Sequence, residues 1–256
     1  MKQFNTYRTL ASLAKGAAIA LLFNLVACGD SATRANGKDS SSNALNAAVG
    51  TMTDNRDGRT YRTVTIGKQT WMAENLKFES DNSLCMSDIT DYCNKYGRLY
   101  TWAAAMDSAA IWGEYGKGCG YGKKCYPSTP FGQHVRGVCP EGWHLPTNSE
   151  WSSLMYTVAG NNFDAAEKLK STSGWLDYKG TSGNGTDDYG FSALPAGYRD
   201  KRGYGGQVGS EAHFWTSTED DENKADFMYF KYSTHVWYMY GTDKQYGRSV
   251  RCVMDE

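Results

Sequence analysis

The seven cysteines of this 256-residue chain constrain its fold more than any other feature, because an odd number cannot all pair within one chain. Cys28 stands apart from the other six, which lie between residues 85 and 252. Cysteines form disulfides in exported proteins and stay reduced in the cytosol. The segment around Cys28 therefore decides how the remaining six are interpreted.

The N-terminal segment has the pattern of a bacterial lipoprotein signal. Three basic residues and no acidic ones accompany the apolar stretch Gly16–Ala27, which is too short for a bilayer that takes about 20 residues to cross. A short apolar run after a basic start is typical of an export signal. The run ends in LVAC at residues 25–28, which fits the lipobox, so we predict a signal peptide at residues 1–27 and a lipid on Cys28. An ordinary signal peptide followed by an unrelated cysteine is the alternative.

Removal of the signal peptide leaves an acidic protein. The whole chain has 27 basic and 28 acidic residues, and taking away the three bases of residues 1–27 leaves 24 against 28, a net charge of −4. This balance lacks the basic surplus of a nucleic-acid-binding protein, so we predict no nucleic-acid partner. With 40% hydrophobic and 21% charged residues, the composition is that of a folded domain rather than of a disordered chain.

Two segments follow the signal peptide. Residues 28–51 are rich in Ser, Asn, Ala and Gly and contain no aromatic residue, which is typical of a flexible tether. No second linker follows, so residues 52–256 are predicted to form one domain. Its six cysteines then lie in a compartment where disulfides form.

The residue pattern of this domain predicts an α+β fold with antiparallel sheets, because strands come first, helices in the middle and strands last. Residues 60–66 and 69–72 flank a Gly-Lys turn, which is a hairpin signal, and we expect this hairpin to meet the last strand. Residues 80–96 and 113–132 are predicted as loops. Helices are predicted at Leu99–Ser108, Asn148–Val158 (behind a Thr147/Glu150 capping box) and Asp164–Ser171. The later strands are predicted at Phe191–Leu194, His213–Thr218, Asp226–Tyr232, Val236–Tyr240 and Ser249–Met254.

Several strings of the domain are recognisable when they are taken together and in order. They are TDNRDG at Thr53–Gly58, TVTIGKQTWMAENL at Thr63–Leu76, YGRLYTW at Tyr96–Trp102, CPEGWHLPT at Cys139–Thr147, KLKSTSGW at Lys168–Trp175, LPAGYR at Leu194–Arg199, WTSTE at Trp215–Glu219 and SVRCV at Ser249–Val253. In these strings the chain resembles the Fibrobacter succinogenes major paralogous domain over nearly all of residues 53–255. That family is similar to C-type lectin-like folds and occurs on exported proteins, often lipoproteins.

The resemblance implies a C-type lectin-like fold with antiparallel sheets, two or three helices and a set of disulfides. In lectin-like folds a cysteine ahead of the first helix bridges to the last strand, and Cys139 and Cys252 occupy those places. That bridge closes a loop of 113 residues, for which chain entropy gives about 4.7 kcal/mol. The pairs Cys85–Cys93 and Cys119–Cys125 would then pin two loops. Free thiols and metal binding are the alternatives, although neither close pair has CxxC spacing.

The resemblance also places the ligand-binding loops, between the long strands. Sugar recognition uses aromatic rings against the apolar faces of the sugar and planar polar groups on its hydroxyls, and such residues also suit a peptide. Trp237 and Tyr238 are neighbours in a strand, where successive side chains point opposite ways, so only one of them can face a given ligand. The candidate ligand-binding residues are Tyr198, Arg199, Asp200, Tyr204, Glu219, Asp220, Trp237 and Tyr238.

Calcium-dependent sugar binding of the lectin type is not expected. Lectins use Glu-Pro-Asn or Gln-Pro-Asp together with Trp-Asn-Asp, and none of these strings occurs here. The corresponding Leu194-Pro195-Ala196 offers no carboxylate or amide side chain. The acidic run Glu219–Glu222 could supply oxygen ligands to another calcium ion, but a run of acids is more often a solvated loop.

An enzyme is the other class weighed, and we predict no catalytic residue, metal or cofactor. The chain has no Gly-x-Ser-x-Gly elbow, no His-Glu-x-x-His and no Gly-x-Gly-x-x-Gly after a strand. His144, one of four histidines, is interpreted as structural. Formylglycine-generating enzymes share a lectin-related fold and use cysteines with copper, but Cys119 and Cys125 lack such a ligand set. An oxidoreductase of that kind stays as a remote alternative.

Two non-catalytic functions remain open, and the same aromatic residues suit both. One is a lipid-anchored recognition or adhesion module that binds polysaccharide; the other is an assembly lipoprotein that binds other envelope proteins. A row of exposed aromatics favours polysaccharide, whereas one contiguous apolar patch favours protein. Gly29, rather than Asp, follows the predicted lipidated cysteine, which favours attachment to the outer membrane of the bacterial cell envelope.

Overall fold

The computed structural model of the chain describes residues 47–125, 133–160 and 163–256. The predicted signal peptide, Cys28 and all but the last few residues of the predicted tether lie outside the described residues. The described part is a mixed α/β domain in which the sheets are mostly antiparallel. None of its helices combines the length and the apolarity that crossing a membrane requires.

A five-stranded antiparallel sheet joins the two ends of the domain, in the order β1-β2-β3-β12-β6. Its strands are β1 (Ala48–Asp54), β2 (Arg59–Ile66), β3 (Gln69–Met72), β6 (Trp143–His144) and β12 (Val253–Met254). The hairpin of β2 and β3 confirms the prediction, and its turn uses Gly67 at a φ of 63°, where glycine avoids strain. Val253 pairs with Trp71, so the first hairpin meets the last strand as expected.

The first strand was not predicted. β1 pairs with β2 along its whole length, from Ala48 opposite Thr65 to Asp54 opposite Arg59. Residues 48–51 therefore form a strand, although they lie within the segment predicted as a tether. Their side chains are largely exposed, so the pairing comes from the neighbouring strand rather than from a pattern in the segment itself.

A three-stranded antiparallel sheet, in the order β11-β10-β9, forms the second layer. Its strands are β9 (Glu211–Glu219), β10 (Lys224–Lys231) and β11 (Trp237–Asp243). Two short pairs complete the sheets: β4 (Ser83–Leu84) with β5 (Leu99–Tyr100), and β7 (Tyr198–Arg199) with β8 (Gly205–Gly206). The predicted strand at Phe191–Leu194 was wrong, since that segment makes only an isolated bridge at Ala193. Of the strand predicted at Ser249–Met254, only Val253–Met254 (β12) is a strand in the structure.

Four short α-helices occur in the described residues, where two or three were expected. They are α1 (Thr90–Tyr96), α2 (Trp102–Ala105), α3 (Asn148–Ala159) and α4 (Ala165–Leu169). The capping box of Thr147 and Glu150 at the start of α3 is confirmed. The helix predicted at Leu99–Ser108 was too long, because Tyr100 exchanges two backbone hydrogen bonds with Arg248 and is thereby held in a strand. The unpredicted helix α1 lies in a segment read as a polar loop.

Helix α3 packs between the two sheets through aromatic side chains. The ring of Trp151 lies 4.6 Å from that of Trp71 in β3 and 5.3 Å from that of Phe214 in β9. A second buried cluster surrounds Trp102 and Trp215, whose indole N–H groups donate to the backbone carbonyls of Thr216 and Tyr100. Both clusters bury large rings, which supply most of the hydrophobic stabilisation of a domain of this size.

Three disulfides link the six cysteines of the domain. They join Cys85 to Cys93, Cys119 to Cys125, and Cys139 to Cys252. These are the pairs that the resemblance implied. The long bridge ties the segment ahead of α3 to the segment that leads into β12, while the other two close loops of 8 and 6 residues.

Replacing both Cys139 and Cys252 by alanine should destabilise the domain more than replacing both Cys85 and Cys93. Chain entropy assigns about 4.7 kcal/mol to a loop of 113 residues and about 2.5 kcal/mol to one of 8. We therefore expect free energies of unfolding that differ by about 2 kcal/mol between the two double variants, measured by urea denaturation. If both double variants lost the same free energy of unfolding, the length of the closed loop would not determine how much each disulfide stabilises the domain.

Candidate functional site

Five tyrosines form two neighbouring groups at the three-stranded sheet, on the side that points away from α3. In one group the rings of Tyr229, Tyr238 and Tyr240 lie 5.0–6.0 Å from one another, and in the other Tyr198 stacks on Tyr246. We call these five residues the tyrosine face. Tyr229 in β10 lies directly opposite Tyr238 in β11, with their ring centroids 5.0 Å apart. Tyr238 and Tyr240 stack at 6.0 Å with an angle of 16° between the rings.

The alternation of side chains along β11 creates this arrangement. Trp237 and Met239 pack against the core cluster around α3, while Tyr238 and Tyr240 point to the other side. Both neighbouring candidates are half-buried, but Tyr238 lies on the side of the tyrosine face and Trp237 on the side of the core. The same alternation in β10 puts Phe230 in the core cluster around α3 and Tyr229 on the opposite side, where it packs against the second buried cluster.

The second group is formed by Tyr198 and Tyr246, whose rings stack at 5.9 Å and are nearly parallel. The imidazole of His213 connects the two groups, at 5.0 Å from the ring of Tyr198 and 5.3 Å from that of Tyr229. Tyr240 is 53% exposed, and the other four tyrosines are half-buried.

The hydroxyl groups of the tyrosine face are free of partners within the described part of the chain. No hydrogen bond among the described residues uses any of the five phenol oxygens, and none of these oxygens is among the fully buried polar atoms that lack a partner. Burial nevertheless raises the pKa of Tyr229 to about 12, so its hydroxyl is only partly solvated. Hydroxyls without an internal partner can donate to and accept from a polar ligand without first breaking an internal bond.

The buried side chain of Arg248 packs beneath the tyrosine face. The guanidinium of Arg248 lies 3.5 Å from the ring centroid of Phe227 and 5.5 Å from that of Tyr198. Its Nη2 donates to Oγ1 of Thr242 at 3.0 Å, and its Nη1 donates to Nδ1 of His213. Burial lowers the pKa of Arg248 to about 9, so the group stays charged at neutral pH. These contacts fix the base of the tyrosine face.

His213 is held as a neutral imidazole by the same network. Burial and, next, the charge of Arg248 lower its pKa to about 4, against an opposing contribution from Glu211. Since Nδ1 accepts the hydrogen bond from Arg248, Nε2 carries the proton and donates it to Oε2 of Glu211 at 2.8 Å. This role was not predictable from the sequence, because His213 lies in an ordinary strand pattern.

Three more predicted candidates lie around the turn between β7 and β8. Arg199 points away from Tyr198 and forms an ion pair with Asp88 at 2.7 Å. Asp200 accepts hydrogen bonds from the backbone N–H groups of residues 202 and 204, which closes the turn. Arg199 and Asp200 also line a cavity of about 390 Å³, and Tyr204 at the tip of the turn is 70% exposed.

The two acidic candidates, Glu219 and Asp220, differ in their surroundings. Both carboxylate oxygens of Glu219 accept a hydrogen bond from the backbone N–H of Cys125, and one also pairs with the buried Lys244 at 2.5 Å. Asp220 is exposed. Asp221 accepts from two backbone N–H groups of its own turn. Internal partners thus occupy part of the acidic run that was considered for calcium.

The tyrosine face draws together residues that sequence reasoning treated separately. Tyr198 and Tyr238 were candidates, and Tyr246 was not considered. Tyr229 was interpreted as a core residue, and it does pack against the second buried cluster. The alternation in the strings DFMYFK and WYMYGTD was the signal that could have placed Tyr229, Tyr238 and Tyr240 on one side. No pattern in the sequence indicated that Tyr198 and Tyr246 belong to the same face.

One group of side chains within the described residues is arranged as metal ligands could be. His134, His144 and Glu150 each offer one ligand atom, and these atoms lie within 4.8 Å of one another. The group lies beside β6 and the start of α3, and it shares no residue with the tyrosine face.

The described residues form a disulfide-linked, mixed α/β domain with mostly antiparallel sheets. The model of the Fibrobacter succinogenes major domain matches residues 64–254, so the chain belongs to this family. Neither the curated proteins nor the solved structures include a match to the chain.

His213 should make the domain less stable as the pH falls from 7 to 5. Its pKa is about 4 in the folded protein and near its ordinary 6.5 in the unfolded chain, so the unfolded chain takes up a proton that the folded one refuses. The stability that the neutral His213 contributes is therefore fully present above about pH 6.5 and is lost as the pH falls from there toward 4. The loss totals on the order of 3 kcal/mol by pH 4.

His213→Gln keeps one donor and one acceptor but cannot be protonated, so we expect a flatter dependence of unfolding free energy on pH than in the native protein. Urea denaturation at several pH values measures both slopes. His235→Gln is the control, since His235 is exposed and lies outside this network. Identical slopes for His213→Gln and the native protein would contradict the assignment of a neutral, buried His213.

Proposed function

We propose that the chain is a non-catalytic recognition module that binds polysaccharide through the tyrosine face. The observation that carries this proposal is the set of five neighbouring tyrosines whose hydroxyls make no hydrogen bond within the described residues. A polysaccharide presents hydroxyls and apolar ring faces, and neighbouring phenol groups complement both. The exposed outer side of Tyr240 offers a surface on which one sugar ring can stack.

The rigidity of the tyrosine face also supports recognition. Each ring is held by its neighbours at 5.0–6.0 Å, and Arg248 and His213 fix the base of the face. Ligand binding then costs little side-chain entropy, because the side chains are already ordered. The net charge of −4 predicted for the mature chain fits a neutral ligand better than an acidic one.

The proposal includes a C-type lectin-like fold and attachment to the cell envelope. A bridge from ahead of α3 to the last strand, and the meeting of β3 with β12, are features expected of a lectin-like domain. Anchoring rests on the lipobox at residues 25–28, with Cys28 as the lipidated residue and the outer membrane as the membrane. Multiple acyl chains would hold the protein firmly.

An assembly role, in which the same face binds another envelope protein, is the second candidate. Tyrosine-rich surfaces are also common in protein interfaces, because they combine apolar area with hydrogen-bonding groups. A remote third candidate is an oxidoreductase of the formylglycine-generating type. We do not adopt this candidate, because such an enzyme needs free cysteine thiols to bind copper and all six cysteines of the domain are paired in disulfides.

The double variant Tyr238→Ala/Tyr240→Ala should lose retention on insoluble polysaccharide. We expect at least about tenfold weaker binding, equivalent to about 1.4 kcal/mol, in a pull-down of the purified protein on cellulose and xylan. Tyr156→Ala is the matched control, because Tyr156 is 68% exposed on α3 and lies outside the tyrosine face. Retention of an envelope protein with no retention on any glycan would overturn the polysaccharide proposal in favour of assembly.

Cys28→Ser should release the protein from the membrane without changing its domain. Because the lipid is the proposed attachment, the variant is expected in the soluble fraction after export in a Gram-negative host, whereas the native chain sediments with membranes. Sedimentation followed by immunoblotting measures the distribution, and Ser31→Ala serves as the control. A variant that has lost its signal peptide, as judged by its mass, and still sediments with membranes after salt washing would refute lipid anchoring at this residue.

A further inference from the structure

Three titratable side chains from residues 134–150 meet a fourth from the far end of the chain at one edge of the five-stranded sheet. His134 comes from the segment before β6, His144 from β6 itself, Glu150 from the first turn of α3 and Asp255 from the residue after β12. The proposed polysaccharide surface uses none of them. Their juxtaposition is a product of the fold, since 121 positions separate His134 from Asp255.

Asp255 sets the orientation of the His144 imidazole. Its Oδ1 lies 2.7 Å from Nδ1 of His144, and the ring is almost fully buried. The opposite ring nitrogen, Nε2, lies 2.6 Å from Oε1 of Glu150. A histidine whose Nδ1–H is held by a carboxylate and whose Nε2 points at a second ligand atom has the arrangement found around metal ions in proteins.

Glu150 is likewise fixed in place. Its Oε2 accepts hydrogen bonds from the backbone N–H and the hydroxyl of Thr147 at 2.7 and 2.8 Å, as part of the capping box. This leaves Oε1 directed at the two histidines. The capping box therefore holds one carboxylate oxygen and presents the other, which is the behaviour required of a preorganised ligand.

His134 completes the group from the solvent side. Its Nδ1 lies 3.9 Å from Oε1 of Glu150, and its ring stacks on that of His144 at 4.0 Å. The side chain is 35% exposed and lines a cavity of about 520 Å³ next to the site. A cavity of this size gives an ion a path to the ligands and leaves room for water.

We propose that His134, His144 and Glu150 form a binding site for a divalent first-row transition metal, with Asp255 as the residue that orients His144. Two imidazoles and one carboxylate, with an open fourth position, are a ligand set typical of zinc. The ion displaces the proton between Nε2 of His144 and Oε1 of Glu150, and that proton leaves to solvent. This site is independent of the polysaccharide proposal.

The distances permit such a site after a small adjustment. Ligand atoms at about 2.0–2.1 Å from a tetrahedral zinc ion lie about 3.3 Å from one another. The 2.6 Å separation of His144 Nε2 from Glu150 Oε1 must therefore open, and the 3.9 Å separation of His134 Nδ1 from Glu150 Oε1 must close. The stacked ring of His134 must also rotate, and its partial exposure leaves it room to do so.

Zinc binding to the full chain, purified without a histidine tag, tests the proposal. We expect one equivalent of Zn²⁺ to bind in isothermal titration calorimetry and to raise the melting temperature. His134→Ala should remove this binding, and Asp255→Asn should weaken it roughly 10–100-fold because His144 loses its orienting partner. The control is His235→Ala, since His235 is an exposed histidine that also pairs with a carboxylate, Glu167 at 3.1 Å.

The outcomes separate a metal site from a purely structural cluster. Zinc binding that is lost in His134→Ala and kept in His235→Ala supports the proposal, provided that circular dichroism shows both variants folded. No uptake of zinc by the native chain, or unchanged uptake by folded His134→Ala, overturns it. Absorption of four-coordinate Co²⁺ in the visible range, present in the native chain and absent in Glu150→Gln, supplies a second readout, and its absence from the native chain also counts against the proposal.

Discussion

The buried chain segment Arg248–Val253 connects every layer of the domain through its backbone. It exchanges two hydrogen bonds with Tyr100 in β5. Its carbonyls accept from Trp215 in β9, from Met72 in β3 and from Leu76 after β3. All six of its residues are buried. Since an unpaired backbone group is costly in the interior, the surrounding strands must all lie at fixed positions relative to this segment.

Two arginines project from this segment into different surroundings. The Arg251 guanidinium donates to Oδ1 of Asn75 at 2.9 Å and to the backbone carbonyls of Phe191 and Ser192, and burial lowers its pKa to about 9. Arg248 instead lies beneath the tyrosine face. A buried guanidinium is tolerated only where acceptors and aromatic rings surround it, so the position of each arginine specifies its neighbourhood. The rigidity of the proposed binding surface therefore derives from the same segment that organises the core.

Much of the fold was predictable because local sequence patterns are strong in strands with alternating side chains and at capped helix starts. The hairpin of β2 and β3, the capping box of α3 and the three strands β9–β11 follow from such patterns. The errors share a physical cause, which is that tertiary pairing overrides local preference. Tyr100 leaves a helical pattern to pair with Arg248, and Ala48 joins a strand because β2 offers it an open edge. Part of the candidate site was equally predictable: Tyr238 follows from alternation, whereas Tyr246 joins the tyrosine face only through contact with Tyr198.

The sequence by itself determined the family, the pattern of cysteines and the prediction of a lipid-anchored, exported protein, because these depend on short strings and their order. The tertiary structure alone decided which tyrosines share a surface, that His213 and Arg248 support it, and that Asp255 meets His144 and Glu150. These associations join residues far apart along the chain. No local pattern encodes such distances, since they arise only when the buried segment Arg248–Val253 brings the sheets together.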